Sequence, residues 1–300
     1  MQINQVTLPM LVVLRAFGLN RHVRGWNRIL SRLFPHDAQV SRHLATTRWG
    51  LTYLANPANY VDWDVLCHGS FEHDDLELFR RFGRPESVCL DIGANIGHHA
   101  VFFGSLGWTV HAFEPNPQLW AEFEAKIRAS GLQAVTLHKV GLGIENASLE
   151  FELENSTNSG TGRFRDGNPS PPEGGAKVGR LPIRNGDRYL EESGIDHVDV
   201  VKMDIQGFEP EALVGLRETL RRDRPLISVE IAPDNTVKFG SFERFKEYLP
   251  EAYSFLRVRP MNVGLLRRTV VECYTGEAFH TMSGNLFCIP DPRFSPAQRD

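Results

Sequence analysis

Residues 88–114 read V-C-L-D-I-G-A-N-I-G-H-H-A-V-F-F-G-S-L-G-W-T-V-H-A-F-E. An apolar run closes on Asp91, the chain turns through Gly93, Asn95 and Gly97, a short apolar helix follows, and a second strand runs from Trp108 to Glu114. Strand, tight turn, helix, strand is the opening unit of a parallel α/β sheet. It brings two carboxylates to the carboxyl ends of neighbouring strands, the edge at which open α/β sheets bind ligands. Gly93 and Gly97 permit backbone angles that other residues resist and are expected to leave amides bare beside a ligand, with Ala94 between them. Asn95 stands where a further glycine would serve, because asparagine tolerates the left-handed region better than most side chains.

The spacing also bears on the ligand. Glu114 follows Gly93 by 21 residues, close to the roughly 20-residue offset at which an acid meets ribose hydroxyls in dinucleotide folds. A nicotinamide fingerprint, G-x-G-x-x-G, has Asn95 at its second glycine and His98 at its third, which disfavours the alternative of an NAD-dependent oxidoreductase. Asp91, directly before the turn, would repel a pyrophosphate, whereas a carboxylate there suits an ammonium or a sulfonium. S-adenosylmethionine carries both. Asp91 is therefore expected toward the methionine part and Glu114 toward the ribose hydroxyls as a bidentate acceptor. The backbone of Gly93, Ala94, Asn95 and Gly97 is expected to pass close by, with Pro115 flooring the adenine.

Four further motifs follow D-I-G-A-N-I-G in order: A-F-E-P-N-P from Ala112 to Pro117, N-S-G from Asn158 to Gly160, V-K-M-D-I-Q-G-F-E from Val201 to Glu209, and I-S-V-E-I from Ile227 to Ile231. In order and spacing the set resembles the FkbM-type methyltransferases over roughly Trp49 to Pro290. The resemblance implies an α/β, Rossmann-like class I fold dependent on S-adenosylmethionine, with a seven-stranded, mostly parallel sheet whose last strand is antiparallel. It also implies O-methylation of a hydroxyl on a sugar, a polyketide-like compound or another small metabolite. The family commonly reads D-V-E-G where this chain has D-I-Q-G, so Gln206 removes a charge beside Asp204. That departure is the one hint of a second alternative, a cofactor-binding module without catalysis.

Acceptor chemistry is expected from Asp204, Glu230 and His98, with Glu209 and Lys202 as weaker candidates. Asp204 stands where class I enzymes meet both the methionine moiety and the acceptor, and is a candidate to orient or deprotonate a hydroxyl. Its structural reading is a carboxylate paired with Lys202. Glu230 is flanked by apolar residues in V-E-I, a setting in which an acid needs a partner or a function. His98 has an ordinary pKa suited to a base, though a histidine at a helix start also serves as a cap. No spacing demands a metal, and no metal ligands are assigned.

The 300 residues are 41% hydrophobic with a formal net charge of −4, which gives no global attraction to nucleic acid. Cys67, Cys89, Cys273 and Cys288 form no C-x-x-C pair, so neither a zinc site nor a disulfide framework is indicated and a cytoplasmic setting fits. Residues 1–50 carry seven arginines against one acid, Asp37. Arg21, Arg24, Arg28 and Arg32 recur at helical spacing, predicting a basic amphipathic helix that either contacts an anionic membrane surface weakly or packs on its own domain. Leu8 to Leu19 is too short to span a bilayer.

Residues 1–86 are read as a helical leader and an irregular lead-in packed on the core, and 87–300 as the cofactor-binding domain. Helices are predicted over 74–82, over 117–130 with Asn116 as cap and Gly131 past its end, over 210–220 and over 242–248. Strands are predicted at 134–140, 148–153, 198–203, 226–231, 253–257, 270–274 and 285–289. Residues 155–180 lose the apolar pattern and are expected to form a mobile loop over the acceptor.

Overall fold

The computed structural model describes residues 26–33, 42–153, 163–164, 177–263 and 266–290. Helix α1 (Trp26–Leu33) comes first, with Leu30 buried and Arg28 and Arg32 turned outward. The predicted leader upstream of residue 26 lies outside the described residues. A hairpin of β1 (His43–Thr46) and β2 (Thr52–Ala55) follows, then α2 (Tyr60–His68) and α3 (His73–Phe82). The lead-in is therefore more regular than expected: its strands are four residues each, too short for a clear alternation, and Asn59 caps α2 by accepting from the Val61 and Asp62 amides.

The framework beyond is built from β3 (Val88–Ile92), α4 (His98–Ser105), β4 (Thr109–Phe113), α5 (Pro117–Ser130) and β5 (Val135–His138). A second, four-stranded sheet intervenes, formed by β6 (Gly141–Gly143), β7 (Ala147–Leu153), β8 (Arg163–Phe164) and β9 (Lys177–Asn185). Part of the predicted 155–180 loop is thus strand; the rest of that segment, and its role as a lid, lie outside the described residues. The chain continues through α6 (Gly186–Glu192), β10 (Val200–Met203), α7 (Glu209–Gly215), α8 (Arg217–Asp223), β11 (Leu226–Ile231), α9 (Pro233–Phe239) and α10 (Phe242–Lys246). It ends in β12 (Tyr253–Val263), β13 (Leu266–Cys273) and β14 (Gly284–Pro290).

The main sheet runs β13-β12-β14-β11-β10-β3-β4-β5. From β5 to β11 neighbours are parallel, and β14 inserts antiparallel between β11 and β12. This is the class I arrangement with its antiparallel last strand, except that there are eight strands in place of seven, because β12 and β13 form a hairpin that adds an antiparallel edge strand. Strand order reverses between β3 and β10, so a crevice opens at their carboxyl ends.

Two apolar layers enclose the sheet. Tyr53, Val65, Leu76, Phe79 and Phe82 from the lead-in share one cluster with Phe102, Phe103, Val110 and Phe123, so residues 42–86 complete the same core as the sheet. A buried polar clamp fastens them: Lys126 of α5 donates to both Asp62 oxygens at 2.8 and 2.9 Å and to the Leu54 carbonyl, while the Tyr53 hydroxyl and the Asn56 amide also donate to Asp62. Both charged side chains are fully buried. Among the described residues no helix is long and apolar enough to cross a membrane.

Candidate active site

The turn after β3 adopts the backbone its residues predict. Gly93, Asn95 and Gly97 have φ of 80°, 49° and 87°, all in the region that glycine and asparagine tolerate. What the glycines accommodate is protein. A Cβ at Gly93 would sit 1.9 Å from the Asp204 carbonyl oxygen, and one at Gly97 would sit 2.7 Å from the Phe123 ring. The expectation of bare amides is also overturned. Gly93 and Ala94 amides both donate to the Phe113 carbonyl at 3.0 and 3.1 Å, Gly97 donates to Ala94, and Asn95 donates to Glu114 Oε2 at 2.9 Å. These four amides are therefore committed inside the fold and not offered to a ligand.

Beside this turn lies a cavity of about 330 Å³, lined by residues of the turn, the ends of β4, β10 and β11, the lead-in and β7. Glu114 ends β4 at its wall, 7% exposed, with Oε1 taking the Asn116 amide at 2.8 Å and Oε2 the Asn95 amide. Each oxygen keeps acceptor capacity beyond that bond. Burial pushes the Glu114 carboxyl up to about 7, partly offset by those two amides. Pro115, Asn116 and Leu119 continue the wall.

Asp91 departs from expectation. It is fully buried and does not line the cavity. The register of β3 and β10 sets Asp91 opposite Lys202, whose Nζ lies 3.3 Å from Asp91 Oδ1 and donates to the Gly93 carbonyl at 2.9 Å. Lys202 is itself a cavity residue. Burial would lower its pKa, but the charges of Asp91 and Asp204 reverse the direction and keep it firmly cationic. Asp91 therefore reaches the cavity only through the lysine it charges. Gly97 likewise lies off the cavity wall, against Phe123.

Asp204, Gln206 and Glu230 meet on the opposite wall. Gln206 Nε2 donates to Asp204 Oδ1 at 3.0 Å and to Glu230 Oε2 at 3.1 Å. One amide group bound to an oxygen of each carboxyl holds the two acids side by side. Burial raises the Asp204 carboxyl, but Lys202 and these hydrogen bonds outweigh it and hold it below the usual carboxylate range. Glu230, raised first by burial and then by the Asp204 charge, is pushed up to about 9. Glu209 is fully buried and serves the turn between them, accepting from the Ile205 and Gly207 amides and from Asn235 Nδ2.

His98 lines the cavity, with Nε2 donating to the Phe71 carbonyl at 3.2 Å and Nδ1 buried without a partner. Burial lowers its pKa well below the ordinary value, so the ring is neutral and packs between Tyr53 and Phe71. His99, 3.2 Å from Glu72, also faces the cavity. Tyr60, Phe71, Glu72 and Phe151 are cavity residues that sequence reasoning missed, since they come from the lead-in and the second sheet, outside every motif. Among the described residues no group of three or more His, Cys, Asp or Glu is arranged to hold a metal ion.

Comparison with known proteins adds four findings. The family model described as Methyltransferase FkbM domain matches residues 91–258, more than half of the chain. The hexuronic acid methyltransferase AglP of Haloferax volcanii is 29% identical over 151 residues, covering 50% of this chain and 58% of that protein. The 2-O-methyltransferase NoeI of Sinorhizobium fredii is 26% identical over 152 residues, covering 47% and 62% respectively. The chain thus matches about three fifths of the length of either relative. A crystal structure of an FkbM methyltransferase from Methylobacillus flagellatus aligns with 77% of this chain and 53% of its own at a TM-score of 0.43 and 16% identity.

Proposed function

Because the chain belongs to the FkbM methyltransferase family, we propose that it transfers a methyl group from S-adenosylmethionine to a hydroxyl oxygen of a small, sugar-like acceptor. The observation that carries the cofactor assignment is the pairing of Glu114, fixed at the cavity with both oxygens oriented by backbone amides, with a turn in which the Gly93, Ala94, Asn95 and Gly97 amides are already satisfied. Such a site suits a ribose and a cation and does not suit a diphosphate. Glu72, ionised Glu114 and the single negative charge of the Asp204–Glu230 pair face the cavity against Lys202, a balance that favours a sulfonium-bearing ligand.

When bound, the cofactor supplies an electrophilic methyl, which the acceptor oxygen takes as the carbon–sulfur bond breaks and its electron pair stays on sulfur. The chain's residues hold and orient. Glu114 receives the ribose hydroxyls, with Pro115 and Leu119 flanking the base. Lys202, kept cationic by Asp91, meets the carboxylate end of the methionine moiety. Asp204 is the ionised member of its carboxyl pair and takes the proton that leaves the acceptor hydroxyl, a contribution of roughly 10² to 10⁴ for a well-placed base. His98 is assigned to packing in place of proton transfer. The names of AglP and NoeI support a sugar hydroxyl as acceptor.

Incubating the protein with methyl-labelled S-adenosylmethionine and a panel of hexuronic acids, deoxyhexoses and their glycosides tests this reading. Label is expected in an O-methyl sugar. Label appearing only in amines or thiols, or in none of the panel, contradicts the acceptor class.

A further inference from the structure

Gln206 stands between two acids of the cavity, Asp204 and Glu230, and its geometry gives it a purpose there. Its backbone is left-handed, with φ of 53°, a conformation that glycine would adopt without strain. The strained backbone is held from behind, because Glu209 takes the amides on either side of it, at Ile205 and Gly207. A side chain is thus retained where the backbone favours none. That side chain spends its amide protons on the two carboxyls, one toward Asp204 and one toward Glu230. Two acids tied this closely by one amide group resist carrying two negative charges at once, so one of them retains its proton.

We propose that Gln206 is a positioning residue that clamps Asp204 and Glu230 into a pair sharing one proton and one negative charge, so that an acceptor hydroxyl meets a single ionised base. A glutamate here would set a third acid against the other two and remove the donor that joins them. The other groups acting on the pair are Lys202 of β10 and His99 of α4, which favour ionisation at Asp204, and Glu72 before α3 and Glu209 of α7, which oppose it at Glu230. The role of the pair as base rests on the methyl-transfer reading above; the clamp itself does not.

Infrared titration of the full chain, read in the stretching region of protonated carboxyls, tests the clamp without any acceptor. The wild type is expected to show at neutral pH, beside the contribution of other raised carboxyls such as Glu114, a component that Glu230→Gln removes and that alkaline titration abolishes. In Gln206→Met, similar in size but without a donor, the midpoint of that loss should rise by about one pH unit or more, as expected for losing a hydrogen bond to a charged group. In Gln206→Glu the component contributed by this cluster at neutral pH should roughly double, from one protonated carboxyl to two. A wild type with no Glu230-dependent component at neutral pH, or an unchanged midpoint in Gln206→Met together with an undoubled component in Gln206→Glu, overturns the proposal. S-adenosylhomocysteine titrated in parallel separates the two readings, because loss of its binding in the wild type contradicts the cofactor assignment and leaves the carboxyl titration standing.

Discussion

A carboxyl that works best ionised sits at Glu114 in a place that resists ionisation. Burial holds it up to about 7, and ribose hydroxyls are donors, so ligand binding favours the charged form. Affinity for S-adenosylhomocysteine should therefore fall as pH drops below about 7, by up to roughly tenfold per pH unit. Glu114→Gln should bind more than tenfold more weakly at alkaline pH and lose most of that pH dependence; calorimetry across the range checks both, and a wild-type affinity that is flat with pH contradicts the assignment. Glu230 carries the same physics into stability. Its folded pKa, about 9, exceeds its ordinary 4.5, so the folded state holds a proton the unfolded chain releases, and this group's contribution declines as pH rises from about 4.5 to 9. Glu230→Gln should accordingly gain in melting temperature over the wild type as pH rises through that window. A constant difference between the two proteins would refute the half-buried, protonated Glu230. Asp204→Asn removes the base proposed for the hydroxyl proton, and is expected to lower kcat by roughly 10² or more while changing cofactor affinity less than threefold; full turnover removes Asp204 from the mechanism.

Among the elements, the hairpin and helices of residues 42–86 matter as much as the family core, since Tyr60, Phe71 and Glu72 bring them to the cavity wall. Their attachment runs through the Asp62–Lys126 pair, in which burial lowers the Lys126 pKa and the Asp62 charge opposes it. Removing one member leaves the other charge buried and unpaired, so Lys126→Met should cost about 3–5 kcal/mol of stability by denaturant unfolding, and Asp62→Leu combined with it should recover much of the loss. A single variant within 1 kcal/mol of wild type, on the order of a surface change, would show that the clamp carries no such energy. The contrast in what could be read in advance follows from distance along the chain. Local signals came through: Asn95 is left-handed, Asn116 caps α5 by accepting from the Gln118 amide, and Gly131 leaves that helix at φ of 70°. Partners set by register did not, because nothing near Asp91 announces that β10 will bring Lys202 opposite it. The same holds for Gln206, whose bond to Glu230 spans 24 positions, and for the β12–β13 hairpin that makes the sheet eight strands wide.

At the scale of the whole molecule, the reversal of strand order between β3 and β10 brings two kinds of chemistry to one crevice. On the β4 side stands a carboxylate oriented by amides for a diol; on the β10 and β11 side stands a carboxyl pair with a bridging amide. Between them the turn directs its Gly93, Ala94 and Asn95 amides inward, toward Phe113 and Glu114. The central claim is that this crevice takes an adenosyl sulfonium and not a dinucleotide. Isothermal titration of the full chain with S-adenosylhomocysteine and, separately, with NAD decides it: the account predicts saturable 1:1 binding of the thioether nucleoside and none of NAD, and binding of NAD without the thioether would contradict it.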